Sequence, residues 1–369
     1  MTTNKYLENL EPLLKDYFKI LSDEFPKFLL DYIYTPRMQK QDGISVSCGT
    51  YYSKMFNIDL WYSSLAHSVA VALIIWHFTK DKKQTLAGLF HDISTPAFKH
   101  CIDFMNKDYE NQESTEDLTK TMILESTEIM NLLKRDNIDI EEICDYHIYP
   151  IADNDTPMLS ADRLEYTLSN GLGQVKKLWN LDEIKDIYNN IKIIIKEDGN
   201  PEMYFTNLDK ALRFIEVMSE LSICYMNDNR RFGMQFLADI MRIMSENKKI
   251  SINDLYELSE KEIIEKIEKC KEYNISNSFN IWRNGKEVFV SSNPVSNKYS
   301  INVKAKKRYI DPLVKTKDGI KRISEVSNIA KEKIDSILNY SFDRYLYMDF
   351  NLEEENNNDK QRVKTIHRK

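Results

Sequence analysis

From Lys5 to about Lys271 the apolar residues recur mostly at spacings of three and four, and long stretches of that span carry neither glycine nor proline. Apolar positions at that period share one face of an α-helix, so the span predicts a helical bundle rather than a sheet. The expected helices run over 5–22, 61–79, 84–91, 97–106, 114–134, 139–147, 157–170, 181–195, 205–226, 229–247 and 258–271. Nine glycines in 369 residues leave little material for phosphate-cradling loops. The one close pair, Gly171 and Gly173 in GLGQVK, does not meet the dinucleotide fingerprint, and neither G-x-x-x-x-G-K-[ST] nor G-x-S-x-G occurs.

After Tyr273 the pattern changes. SFNIWRNGKEVFVSS places Asn284-Gly285 between two short β-rich runs, and Asn-Gly is the favoured pair for a two-residue hairpin turn. YSINVKAKKRYI then alternates, with Ile301, Val303 and Ala305 on one face and Asn302, Lys304 and Lys306 on the other, as a half-buried strand does. A last helix is expected over 321–341. The fold class predicted is mainly α: a helical domain over 1–271, a small β-plus-helix appendage over 272–345, and a charged, Asn-rich tail over 346–369 that cannot offset its ordering entropy.

Lys and Arg total 51 against 58 Asp and Glu, a net charge of −7, which argues against an affinity for nucleic acid built on phosphate neutralisation. The longest apolar run, Val69 to Phe78, is interrupted by His77 and falls short of the roughly 20 residues that cross a bilayer. The N-terminus lacks the pattern of a secretory signal, so the expected location is cytoplasmic. Cys48, Cys101, Cys144, Cys224 and Cys270 are never spaced as C-x-x-C and read as reduced core residues.

The chemistry lies in a few ionisable groups inside apolar sequence. His91-Asp92 ends LAGLFHD, His67 lies in LAHSVAVALIIWHF, and Asp162 in MLSADRLEYTLSNG. Buried there, each needs a partner or a metal. Two imidazoles and two carboxylates suit a divalent ion such as Fe, Mn, Zn, Ni or Mg, with positions left open for water.

The order H…HD…D, spaced 24 residues from His67 to His91 and 70 from Asp92 to Asp162, resembles the HD-domain metal-dependent phosphohydrolases. HDISTPAFKHCIDF and SADRLEYTLSN are similar, within that superfamily, to the deoxynucleoside triphosphate triphosphohydrolase branch. The likeness covers about 37–175, and KAKKRYIDPLV (304–314) resembles a β-appendage segment of the same proteins. It implies metal ligation by His67, His91, Asp92 and Asp162. It also implies a proton-relay role for Asp103, phosphate contacts from His100 and Arg163, with Lys99 offsetting charge, and Tyr166 packed on a sugar. Dimers are common among such proteins.

Three departures stand out. Thr95, Ser64 and Asn170 occupy places where that branch usually has a histidine, an arginine and an acid. Among Glu113, Glu116 and Asp117, Glu113 is the candidate replacement proton carrier. His77 reads as a packing residue, and His147 in DYHIYP as lying outside the chemistry. Lys304, Lys306, Lys307 and Arg308 form a basic strand edge, read first as a device keeping that edge unpaired and second as a nucleotide-phosphate contact at a subunit interface. The expected function is a metal-dependent phosphohydrolase acting on a nucleotide or related phosphate ester, a dNTP among the candidates. The alternative is a non-catalytic nucleotide-sensing module that keeps the ion.

Overall fold

A computed structural model describes residues 5–58, 60–110 and 118–352. Eighteen α-helices and seven short strands are found among them. Glu113, Glu116, Asp117 and the tail beyond Leu352 lie outside the described residues.

The helix Ser64–Thr79 is the axis of the molecule, buried at every position from Ser64 to Ile75 because its sequence is apolar almost all round. The Ser63 hydroxyl starts it by accepting from the Ala66 amide at 3.1 Å. Lys80, in left-handed conformation, ends it. Asp81 then caps the next helix, Lys82–Phe90, accepting from the amides of Lys83 and Gln84 at 2.8 and 3.1 Å. A helix rises about 1.5 Å per residue. The twelve residues from His67 to Thr79 therefore run out roughly 18 Å, and the nine from Lys82 to His91 run back roughly 14 Å, which returns His91 to His67.

Contact between the two helices is close at Gly88, where an added Cβ would meet the Ile75 Cδ1 at 2.2 Å. Gly88→Ala is expected to destabilise by about 1–3 kcal/mol through overpacking, read as a lowered midpoint in chemical denaturation. A midpoint at or above the parent's would show that the hairpin can spread at no cost.

Helix Ala161–Ser169 packs across Ser64–Thr79 and carries Asp162 in its first turn, which the Ser160 hydroxyl caps by accepting from the Arg163 amide at 3.2 Å. Two 19-residue helices, Leu208–Met226 and Asp228–Glu246, meet at Asn227, whose side chain caps the second by accepting from the Arg230 amide.

The strands form two sheets. β1 (Ile191–Ile195), β2 (Pro201–Phe205), β5 (Leu313–Thr316) and β6 (Gly319–Arg322) make one in the order β1-β2-β5-β6, with β2 and β5 parallel. β3 (Phe289–Ser291), β7 (Tyr345–Tyr347) and β4 (Ser300–Ile301) make the other, with β7 central and antiparallel to both.

Several sequence expectations give way here. Asn284-Gly285 is no hairpin turn: it ends the helix Ile275–Asn284, whose Ile275, Ser278, Phe279 and Trp282 are buried at helical spacing. That buried face outweighs the local turn preference. Phe289–Ser291 instead pairs with Tyr345–Tyr347. The helix expected over 181–195 stops at Asn189, and the β-branched run IKIII becomes β1, hairpinned to β2 around Gly199 at φ 82°. The span 139–147 holds only single 3₁₀ turns, Ile140–Glu142 and Tyr146–Ile148. Of the strand expected from Tyr299, only Ser300–Ile301 is paired, although Val303 and Ala305 are buried and Asn302 and Lys304 exposed as the alternation requires.

The five cysteines are free, with Cys101 and Cys270 buried. Among the described residues no helix is long and apolar enough to cross a membrane.

Candidate metal centre

The helical hairpin and helix Ala161–Ser169 bring the separated candidate ligands to one point. His67 Nε2 and His91 Nε2 lie 3.2 Å apart, and Asp162 Oδ1 lies 3.1 Å from the first and 3.8 Å from the second. Asp92 Oδ2 stands 3.8 and 3.7 Å from the same two nitrogens. His67, His91 and Asp162 present one donor atom each within 4.8 Å of one another.

The outer nitrogens decide which lone pairs face inward. His91 Nδ1 lies 2.7 Å from the Gly88 carbonyl, which can only accept, so Nδ1 carries the proton and Nε2 the free lone pair. His67 Nδ1 pairs with the fully buried carboxylate of Glu165, which fixes the same tautomer. Both imidazoles are thus set to ligate through Nε2, the arrangement in which a second hydrogen bond orients a metal-binding histidine. The donor set fits a divalent ion.

The acids around the cluster favour positive charge where the two Nε2 atoms meet, either a proton on His67 or a cation in its place. Burial pulls the His67 pKa down, but the Glu165 charge and the hydrogen bonds His67 donates to Asp162 and Glu165 outweigh it and push it up to about 10, so an ion takes Nε2 by displacing a proton. Burial resists ionisation of Asp162, yet the hydrogen bond to His67 and the charges of both imidazoles hold its carboxyl well below the usual range. The same is true of Asp92 against burial, with Lys99, His91 and His67 lowering it. The acids stay ionised and compete to hold positive charge.

The cluster opens into a cleft of about 600 Å³. Lys99 reaches Asp92 Oδ2 at 2.5 Å, and Ser64, where the resemblance leads one to expect arginine, donates to the same oxygen at 3.3 Å. His100 lines the cleft with Nδ1 at 2.9 Å from Asp103, which is fully buried beneath it and does not line the cleft. The outer nitrogen of His100 lies 3.3 Å from Arg308 Nη2. Arg163 also lines the cleft, but its guanidinium is engaged with Asn154 Oδ1 at 2.7 Å, the Asn154 carbonyl at 2.5 Å and Asp153 at 3.1 Å. Tyr166 faces the cleft, its ring 6.5 Å from that of Tyr225, whose hydroxyl accepts from Asn170 at 2.8 Å.

His77 packs on Phe78 and Tyr188 away from the cleft. His147, half exposed, lies on the cleft rim beside Asp145 and Asp153. Thr95 is buried, its carbonyl accepting from Lys40 at 3.0 Å. The basic run read first as an edge device is cleft wall: Lys306, Lys307 and Arg308 line it, while Lys304 points to Glu110 on the surface.

Sequence reasoning missed Glu165, Tyr225 and Arg230. Glu165 lies one helical turn beyond Asp162 in the same apolar stretch, and a buried acid there was as visible as Asp162 itself.

Lys99 is placed by an unusual turn. Phe98 and Lys99 are consecutive left-handed residues at φ 63° and 44°, and the Phe98 amide donates to buried Glu260 at 3.2 Å. Burial pushes the Glu260 pKa up to about 8, against the hydrogen bonds it accepts and the nearby Lys40 charge. The folded chain therefore binds the proton that an unfolded glutamate has lost above about 4.3, and stability from this group falls as pH rises from there towards 8. Glu260→Gln is expected to flatten that decline by on the order of a few kcal/mol between pH 5 and 7.5, measured by denaturant unfolding across the range. An unchanged slope would contradict a neutral Glu260.

No protein-family model matches the chain. The helical shell around the cluster recurs in solved structures. A hypothetical protein from Aquifex aeolicus aligns with TM-score 0.62 at 18% identity, covering 88% of this chain and 93% of that one. A phosphohydrolase from Bacteroides thetaiotaomicron aligns with TM-score 0.56 at 14% identity, covering 88% and 96%. Among curated proteins the chain is similar to the uncharacterized protein YdhJ of Bacillus subtilis, 26% identical over 267 residues that make up 71% of this chain and 77% of YdhJ. It is also similar to the metal-dependent phosphohydrolase cns2 of Cordyceps militaris, 23% identical over 175 residues, 47% of this chain and 48% of cns2. The match thus spans about half the length of cns2.

Proposed function

We propose that the chain is a metal-dependent phosphohydrolase of HD type that cleaves a phosphate ester or anhydride of a nucleotide. The observation that carries this reading is the convergence of two Nε2 lone pairs with the Asp162 and Asp92 carboxylates at the foot of a cleft whose wall is basic. The name of cns2 supports it. A divalent ion held by His67, His91, Asp92 and Asp162 supplies Lewis acidity towards a phosphate oxygen and the attacking water.

The chain's own groups do the rest. His100 donates from Nδ1 to Asp103, and Arg308 donates to its Nε2, so that nitrogen is a proton acceptor at the cleft wall. Burial lowers its pKa, with the Arg308 charge adding to this and Asp103 opposing, and the ring is neutral at physiological pH. Asp103 acts through His100 by fixing its tautomer. Lys99 and Arg308 offset charge on non-bridging oxygens, and Tyr166 supplies a flat surface for sugar or base. A homodimer is the assembly that the resemblance to HD proteins implies.

The test is phosphate release by full-length protein loaded with Mn²⁺, assayed against nucleoside mono-, di- and triphosphates and simple phosphate esters. Release from at least one nucleotide, lost on chelation, is the expected result. Thermal stabilisation by a nucleotide with no release from any compound would instead favour the sensing module.

A further inference from the structure

Arg230 stands in the first turn of helix Asp228–Glu246 and is only 7% exposed, yet it lines the cleft that holds the metal cluster. Its guanidinium makes one long hydrogen bond, to the Thr50 hydroxyl at 3.4 Å, and lies over the Phe56 ring at 5.3 Å. Neither partner is charged, and no carboxylate among the described residues forms an ion pair with it. The adjacent Arg231 differs, holding Asp228 at 2.7 Å. Burial lowers the Arg230 pKa, but a guanidinium stays cationic at neutral pH. A buried fork of five N–H donors with a single weak acceptor is costly until an anion completes it.

Its position relative to the metal cluster narrows the ligand. Tyr166 follows Asp162 by one helical turn, and its ring meets that of Tyr225. Tyr225, Arg230 and Arg308 line the same cleft. The two tyrosine rings and the guanidiniums of Arg230 and Arg308 thus line the same cleft as the candidate metal ligands, with Arg308 held beside His100.

We propose that Arg230 receives a second anionic group of the substrate, a phosphate or carboxylate separated from the scissile phosphate by a ring seated against Tyr166 and Tyr225. The inference rests on the phosphohydrolase reading for the scissile end, while the anion subsite stands on Arg230 itself. A substrate with one phosphate would leave the guanidinium buried and unanswered.

Calorimetric binding to the metal-loaded full chain tests it with paired probes: adenosine 5′-monophosphate against adenosine 3′,5′-bisphosphate, and glucose 1-phosphate against glucuronic acid 1-phosphate. At least one doubly anionic probe is expected to bind tenfold or more tightly than its partner, and the pair that shows the preference tells phosphate from carboxylate. Arg230→Met is expected to erase the preference and Arg230→Lys to keep part of it. Without ligand, Arg230→Met should melt at or above the parent temperature, as removal of an unpaired buried cation allows and loss of a structural residue does not. Equal binding within both pairs, or a preference that survives Arg230→Met, would overturn the proposal. A preference abolished by Arg230→Met with no hydrolysis of any probe would uphold the subsite and refute the phosphohydrolase reading.

Discussion

Asp162→Ala and His91→Ala are each expected to lose the metal and the hydrolysis together while the far-ultraviolet spectrum stays helical. Each removes one donor from a set in which the two imidazole nitrogens and the carboxylate oxygens beside them stand 3.1 to 3.8 Å from one another. Loss of an outer hydrogen-bonding partner weakens metal sites by roughly 10–100-fold, and removing a ligand itself should exceed that. The helices do not depend on either side chain: Ser160 caps Ala161–Ser169, and the hairpin is held by the apolar packing of Ser64–Thr79 against Lys82–Phe90. Metal per chain by elemental analysis, set beside phosphate release, checks both halves. Full metal content in both variants would place the ion elsewhere.

The second large effect is at Glu165, where charge, orientation and stability coincide. This carboxylate accepts from the Tyr17 hydroxyl at 3.1 Å, the Tyr62 hydroxyl at 2.6 Å and the Ser169 hydroxyl at 3.4 Å, besides its contact with His67. Glu165→Ala strands several buried donors at once, and a loss of about 3–5 kcal/mol is expected. Glu165→Gln keeps the shape and one acceptor oxygen but removes the charge that holds the His67 Nδ1 proton, so metal affinity is expected to fall roughly 10–100-fold with a smaller loss of stability. Chelator competition measures the first quantity and denaturant unfolding the second. Unaltered affinity in Glu165→Gln would mean that His67 needs no such partner to present Nε2.

Why the candidate ligands were legible and the partners of their supports were not follows from the range of the forces involved. His67, His91-Asp92 and Asp162 announce themselves because an ionisable group within an apolar helix is unfavourable alone, and that signal is local. The helical hairpin that joins two of them is also local, set by the Lys80 turn and the Asp81 cap. Glu165 meets Tyr17 and Tyr62 across 148 and 103 residues, a convergence that no spacing encodes. The two misread segments show the same limit from the other side. Asn284-Gly285 prefers a hairpin in isolation, yet burying Phe279 and Trp282 on one helical face is worth more than a turn preference. Lys306 and Arg308 alternate as an edge strand would, but which surface that strand covers is settled by residues far away in the chain. Arg230 carries no local mark at all in DNRRF, and what singles it out is that no acid among the described residues pairs with it.

The central claim is that one cation sits where His67 Nε2, His91 Nε2 and the carboxylates of Asp162 and Asp92 converge. Anomalous diffraction from crystals of Mn²⁺-loaded protein, collected at an energy where manganese scatters anomalously, tests it directly. The account predicts one dominant peak within bonding distance of both Nε2 atoms and an Asp162 oxygen. No peak there in crystals whose solution carries manganese, with Lys99 still closed on Asp92, would contradict it.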